Sequence, residues 1–373
     1  MSLTINNLIQ FALNQQASDI HLRTNEPPML RVDGLMCPLD LPALANEEME
    51  NFVKTLVPEK MIAAFKVSRE VDFAINPEIE NRKVRLRVNV FTSCEKYGIV
   101  MRIINDDALS LDNLGLPTHS LEKIKDLLNS PRGLLLVTGP TGSGKSTTLA
   151  AMIDWINTRY ARHVITIEDP IEYLYRPDQC LITQRELGRD TPSFQKAITG
   201  ALRQDPDVIL VGEMRDLATI EAAVSAAETG HLVLSTLHTT GSTRTVDRII
   251  DVFAEGSKEL VRTQLASNLI GVISQVLCRK KASKGRVAAF EVMTRADSIS
   301  NLIRENKTFR IQTEIEVNQG LGMLPLDRHL FDLYVKGMIS EEEALARAQF
   351  AKELMERIRG DKTAVKKKGL FSF

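Results

Sequence analysis

The nine residues GPTGSGKST, at 139–147, constrain this chain more than any other stretch. They match the pattern GxxxxGK[ST] and lie between an apolar run, GLLLVT, and a helical one, TLAAMIDWIN. A strand entering such a loop and a helix leaving it present successive backbone N–H groups to phosphate oxygens. Gly139, Gly142 and Gly144 let the backbone turn, and the helix N-terminus adds its partial positive charge. Lys145 is placed to reach β- and γ-phosphates, and the Ser146 hydroxyl to complete a Mg²⁺ coordination sphere. With Pro140, Thr141, Ser143 and Thr147 filling the rest of the loop, the chain is expected to bind ATP or a near relative, with Mg²⁺.

The runs GLLLVTG, HVITIED, DVILVGE and HLVLSTL are apolar on both faces and alternate with helical stretches such as TIEAAVSAAE. That pattern predicts a parallel sheet covered on both sides, an α/β fold. The first 105 residues read differently, as α+β. An opening helix, INNLIQFALNQ, precedes DIHLR and PPMLRVDG, which reaches a turn at Asp33-Gly34. In KVRLRVNVF, Val84, Leu86, Val88 and Val90 point one way, and Arg85, Arg87 and Asn89 the other. A period of two marks a sheet with one covered face. The stretch NDDALSLDNLGLPTHS is rich in turn formers and reads as a linker. The expected organisation is 1–105, a linker at 106–118, a nucleotide-binding domain at 119–345, and a C-terminal helix and basic tail at 346–373. The ending KTAVKKKGLFSF reads as a disordered segment or a flexible docking peptide.

Composition narrows the function. With 47 basic and 48 acidic residues the net charge is −1, so nothing pulls the chain globally toward nucleic acid or anionic lipid. Basic and aromatic residues are not interleaved as single-strand binding requires. The four cysteines are scattered without a CxxC pair, which predicts buried reduced thiols and neither a disulfide framework nor a zinc site. No apolar run approaches the roughly 18 residues of a spanning helix, and MSLTINNLIQ lacks a signal pattern. A soluble cytosolic protein is expected.

A nucleotide pocket needs carboxylates for the metal and the attacking water. DVILVGEMRD has the strand of a Walker B motif, but Gly212 stands where the usual Asp would be, and Glu213 follows. Glu213 could hold Mg²⁺ through water or orient the nucleophile. In TIEDPIEYLY, Glu168, Asp169 and Glu172 crowd one strand end, with Pro170 bending the chain between them. Like charges raise one another's pKa, so the cluster calls for a cation, which Mg²⁺-ATP would supply. In ETGHLVLSTLHTT, His231 and His238 bracket an apolar strand. A spacing of seven sets them at opposite ends and on opposite faces, so they do not converge on one metal.

GPTGSGKST, TIEDPIEY, LRQDPDVILVGEMRD and AETGHLVLSTLHTT, in this order, resemble the type II/IV secretion ATPases, and most of all the twitching-motility retraction ATPases of the PilT/PilU family. ASDIHL and PPMLRVDG near the start extend the resemblance over nearly the whole chain. It implies a PAS-like α+β N-terminal domain, a RecA-like P-loop ATPase domain, and a homo-hexamer with ATP between subunits. It also implies a cytoplasmic ring docked on a platform protein of the inner membrane. By the same resemblance Glu172 is the general base, Glu213 the Walker B glutamate serving Mg²⁺, and His231 and His238 sensors of the γ-phosphate across the subunit interface. Arg87, in RVN, and Arg102, in VMRII, match arginine fingers supplied by the N-terminal domain. The linker near 105–118 would then be a hinge. Extension and secretion relatives carry a tetracysteine zinc element, whereas here only Cys278 lies beyond residue 180, which argues for retraction. The retraction signature AIRNLIRE reads SISNLIRE at 298–305, with Ser298 and Ser300 replacing Ala and Arg in an amphipathic helix. The expected activity is a motor that depolymerises a type IV pilus, as principal motor or as an accessory acting with a paralogous retraction ATPase, with a secretion or pilus-extension ATPase as the further alternative.

Overall fold

The structure, a computed structural model, describes residues 3–32, 34–80, 82–104, 110–282 and 285–370, with side chains left aside at 60, 82–83 and 361–370. The chain divides into two compact units, residues 1–107 and 108–373.

The first unit opens with α1 (Ile5–Asn14), whose cap Thr4 accepts a hydrogen bond from the Asn7 amide at 3.2 Å. Strands β1 (Asp19–Arg23), β2 (Met29–Val32) and β3 (Leu35–Pro38) follow, then α2 (Asn46–Leu56) and α3 (Glu59–Ser68). Next come β4 (Glu70–Ile75), the short pair β5 (Glu78–Ile79) and β6 (Arg82–Lys83), and the long strands β7 (Arg85–Ser93) and β8 (Lys96–Ile104). The main sheet is antiparallel, in the order β3-β2-β1-β8-β7-β4. One face is dry: Ile20, Leu22, Leu86, Val88, Val90, Ile99 and Met101 pack with Leu8 and Ile9 of α1 and Met49 of α2. The alternation in RLRVNV produces this, since successive side chains leave a strand on opposite sides. The other face carries Asp19, Arg102 and Arg87 in cross-strand register. Gly34 has the positive φ of a turn, +84°, while Asp33 lies outside the described residues.

In the second unit α4 (Thr118–Leu128) leads into β9 (Gly133–Thr138), α5 (Lys145–Asn157), β10 (His163–Glu168), β11 (Leu181–Glu186) and α6 (Phe194–Ala201). Then come β12 (Val208–Val211), α7 (Leu217–Glu228), β13 (Leu232–Leu237), α8 (Ser242–Asp251) and α9 (Lys258–Asn268). The hairpin β14 (Leu269–Arg279) and β15 (Arg286–Thr294) follows, and α10 (Asp297–Arg304), α11 (Ile311–Val317), α12 (Leu326–Val335), α13 (Glu341–Arg347) and α14 (Ala351–Leu370) complete the unit. The sheet order is β11-β10-β12-β13-β9-β14-β15, parallel except for the last pair. Every residue of β9, β12 and β13 is buried. Leu134 and Leu136 enter the core under α6–α11, and Leu135 and Val137 the core under α4 and α5. Two-sided burial is what the doubly apolar runs encode.

Two expectations change. Cys180 and Cys278 are buried, but Cys37 and Cys94 are exposed thiols, because each stands in a short edge or turn segment with no core beneath it. The segment expected as a loose ending is helical through Leu370 along its backbone, with 371–373 outside the described residues. In α10, Ile299, Ser300 and Ile303 face inward, and Ser300 donates to the Ala266 carbonyl at 2.9 Å.

Candidate active site

All the chemistry-bearing loops leave the same edge of the parallel sheet, at the C-terminal ends of β9, β10, β12 and β13. After β9 the chain turns at Gly139, where φ is +147° and an added Cβ would lie 2.3 Å from the Gln275 carbonyl oxygen and 2.6 Å from Ser143 Oγ. Only glycine is tolerated there. Gly142 and Gly144 also have positive φ, and Gly144 caps the N-terminus of α5. Sequence reading missed the residue that holds this loop. Gln275 of β14 donates through Nε2 to the Ser143 carbonyl at 2.7 Å and accepts through Oε1 from Thr148 at 2.8 Å. One amide thus fastens the loop and the first turn of α5 to the neighbouring strand. The only signal was a single amide inside the apolar run GVISQVLC, since buried polar groups persist where they are hydrogen-bonded.

Lys145 is buried and donates to the carbonyls of Gly139 and Pro140 at 3.0 and 3.1 Å. Burial pulls its pKa below the usual value, and the charges of Glu213 and Glu172 oppose that shift. Both carboxylates therefore act on this ammonium. Ser146 is half-buried in the first turn of α5, and Thr147 Oγ1 lies 2.9 Å from the Tyr173 hydroxyl, tying the helix to the segment after β10. Ser143 Oγ is buried without a hydrogen-bond partner among the described residues.

The acidic cluster after β10 splits. Glu168 points into the protein, accepts from Thr166 Oγ1 at 2.6 Å, and has its pKa pushed up to about 7, chiefly by burial. The Glu172 charge is the smallest cause, so burial outweighs the mutual repulsion that sequence proximity suggested. Beyond the cis Asp169–Pro170 peptide, Glu172 remains half-buried on the Lys145 side. Gln184 Nε2 holds the turn by donating to the Tyr173 carbonyl at 2.8 Å.

Gly212 is explained by the strand beside it. Its amide donates to the Ile167 carbonyl at 2.8 Å, and a Cβ would meet that oxygen at 3.2 Å and Glu168 Cα at 3.3 Å. The carboxylate therefore moves one residue on, to Glu213. Glu213 is buried between Arg215, which pairs with Oε1, and His238, whose Nε2 is 3.2 Å from Oε2. His238 Nδ1 lies 3.5 Å from Thr141 Oγ1, so one imidazole spans the phosphate loop and the Walker B carboxylate. His231 is not brought there. It sits at the start of β13, its Nδ1 3.0 Å from the Ala226 carbonyl, a strand length or roughly 20 Å away. Arg87 and Arg102 belong to the first unit, paired with Asp72 and Asp19.

The chain is similar to known proteins over most of its length. The model of the family described as type II/IV secretion system protein matches residues 1–314. The chain is 45% identical over 348 residues to the type IV pilus retractation ATPase PilT of Pseudomonas aeruginosa, spanning 93% of this chain and 98% of that one. It is 36% identical over 347 residues to the type IV pilus ATPase PilU of the same organism, spanning 93% and 89%. The crystal structure of the pilus retraction motor PilT with bound ADP matches with a TM-score of 0.87 at 41% identity, covering 95% of this chain and 100% of that one. The second unit is accordingly a RecA-like ATPase fold, and the antiparallel first unit is its PAS-like α+β companion. Motifs, sheet order and matched length agree, and the chain belongs to the type II/IV secretion system protein family, on its PilT/PilU retraction-ATPase branch.

Proposed function

We propose that this chain is the ATP-hydrolysing motor of type IV pilus retraction, working as a homo-hexameric ring on the cytoplasmic face of an inner-membrane platform protein. The observation that carries the reading is the convergence of Lys145, Glu172, Glu213 and His238 on one phosphate-binding loop. The higher identity to PilT than to PilU, 45% against 36%, favours the principal motor over an accessory role.

Residues 139–147 suit a phosphate chain, with left-handed glycines, a helix N-terminus and a buried ammonium. Lys145 exchanges its two loop carbonyls for β- and γ-phosphate oxygens. Glu172 takes the proton of the attacking water, and its half-exposed position leaves room for that water. Ser146 and Glu213 are the residues that would hold Mg²⁺, which would supply charge neutralisation of the phosphates. Arg215 and His238 keep Glu213 oriented, and through Thr141 His238 registers whether the γ-phosphate is present. Arg87 and Arg102 would lend positive charge from the first unit, and His231 would act at the subunit seam. Of the expected linker at 106–118, residues 106–109 lie outside the described residues, and Leu111, Leu114 and Leu116 are buried in the core with α4 and α5, so the stretch from 110 onward belongs to the second unit.

Phosphate release with Mg²⁺-ATP tests the chemistry. Lys145→Ala and Glu172→Ala are expected to reduce it at least 100-fold, and equal rates in the variants would refute the assignment. Deleting the gene in its host tests direction: pili that accumulate and no longer shorten support retraction, whereas bald cells contradict it. A chain that stays monomeric by light scattering with nucleotide and Mg²⁺ removes the ring.

A further inference from the structure

The loop that carries His238 is fastened from behind by groups outside the four motifs. Glu291 of β15 is fully buried, and burial raises its carboxyl above the ordinary range. A buried carboxylate is tolerated only where donors surround it, and three do. Ser242 donates its amide and its hydroxyl to Oε1, each at 2.7 Å, and Gln349 donates Nε2 to Oε2 at 2.8 Å. Ser242 is the first residue of α8, so the carboxylate also meets the positive end of that helix. The preceding Gly241 donates its amide to Ser274 Oγ at 2.9 Å, and Ser274 stands directly opposite Glu291 in the hairpin. Gly241 has φ of +86°, and a Cβ there would lie 3.0 Å from Gln349 Nε2. The four-residue loop 238–241 is therefore anchored at its far end by the hairpin, while His238 at its near end reaches Glu213 and Thr141.

Gln349 belongs to a different part of the unit, the bend between α13 and α14. Its amide and that of Phe350 donate to the two carboxylate oxygens of Asp327 in α12, at 2.8 and 2.7 Å. The start of α14 is thus pinned on one side, and from that point a single side chain reaches Glu291.

We propose that Glu291 is a positioning residue for the His238 loop, and that Gln349 makes its position depend on the seating of α14, so that the C-terminal helix acts on hydrolysis through the chain Gln349–Glu291–Ser242. The inference rests on the proposed role of the site in ATP hydrolysis. Neither residue touches nucleotide. A shift of α14 draws on Oε2, the carboxylate turns, and the start of α8 moves with the loop that ends in His238.

The two carboxylate oxygens have separate partners, which permits an exchange test in the full chain. Gln349→Ala is expected to lower kcat at least 5-fold while the Kd for a fluorescent ADP analogue stays within 2-fold of the parent, with the melting temperature falling by about 2–8 °C because a buried carboxylate oxygen loses its donor. Amide hydrogen exchange at 239–243 should rise about 10-fold, the effect of one lost hydrogen bond, with 133–138 unchanged. Gln349→Glu sets two carboxylates together and should lower kcat further. The double variant Glu291→Gln/Gln349→Glu rebuilds the contact in reverse, with Oε1 still accepting from Ser242 and the new amide donating to residue 349, and should recover kcat to within 2-fold. Unchanged kcat in Gln349→Ala, a double variant no better than Gln349→Glu alone, or equal losses of kcat and nucleotide affinity would each overturn the coupling. The exchange measurement needs no hydrolysis. Unchanged exchange at 239–243 refutes the relay even in an active enzyme, whereas an inactive parent chain with raised exchange in the variant refutes the assigned activity and leaves the relay standing.

Discussion

Arg87 and Arg102 face each other directly across β7 and β8, two guanidiniums in register on one face of the sheet. Like charges so placed repel, and each is offset by its own aspartate, Asp72 to Arg87 at 3.0 Å and Asp19 to Arg102 at 2.8 Å. Arg31 lies on the other side of Asp19 at 3.7 Å.

The Asp19 carboxylate is 4% exposed and the Arg102 side chain 61%, so removing the arginine leaves the buried partner short of compensation. Arg102→Ala should cost about 1–3 kcal/mol in chemical denaturation, and adding Asp19→Asn should recover most of it. Phosphate release should remain low in the double variant. Full recovery of activity together with stability would make Arg102 a purely structural residue.

Gln275 joins two groups that have no other hydrogen-bond partner among the described residues. Gln275→Ala leaves the Ser143 carbonyl and the Thr148 hydroxyl buried and unmatched, with a small void, and should lower stability by roughly 2–4 kcal/mol. The KM for ATP should rise more than kcat falls, because the loop and not the base is released. Steady-state kinetics over a range of ATP concentrations separates the two.

Restoring the usual Walker B aspartate should fail. Gly212→Asp drives a side chain against the Ile167 carbonyl and Glu168 Cα, and should destabilise the unit by about 1–3 kcal/mol with reduced phosphate release. A variant as stable and active as the parent would show that the steric reading of Gly212 is wrong.

Glu168 predicts a pH dependence of opposite sign to that of an ion-paired carboxylate, whose pKa is depressed on folding. Its pKa rises from 4.5 unfolded to about 7 folded, so the unfolded chain ionises first. Its contribution to stability is complete below pH 4.5, declines as pH rises toward 7, and amounts to about 3 kcal/mol lost at alkaline pH. His329 acts oppositely: burial lowers its pKa to about 4, and its contribution is present above pH 6.5 and lost as pH falls to 4. The difference between parent and Glu168→Gln isolates the first effect, and melting curves at pH 5, 6, 7 and 8 should diverge progressively in favour of the variant. Parallel curves would contradict it.

The phosphate loop and the parallel sheet were legible because their signals are local. Glycines and a lysine at fixed spacing, and strands apolar on both faces, need no knowledge of distant partners. The alternation in RLRVNV likewise announced the sheet of the first unit. What sequence order misjudged was set by contacts across the fold. Glu168 and Glu172 are near neighbours in sequence, yet one turns inward to Thr166 and the other stays with Lys145. Gly212 is small because of the strand alongside it, and Gln275 and Glu291 are silent in one dimension because Ser143 and Ser242 lie far away along the chain. His231 and His238 look equivalent in sequence, but only the second adjoins the phosphate loop.

The bond from Gln275 to Ser143 spans 132 positions, and that separation bears on how the protein is made. A ribosome adding about 5–20 residues per second delivers the brace on the order of ten seconds after the loop it steadies. Until then the glycine-rich turn has left the exit tunnel without β14 beside it, and such distant pairings are slow to form. Messages broken before codon 269 would therefore yield nascent chains that carry the whole signature GPTGSGKST yet lack the strand that gives it shape.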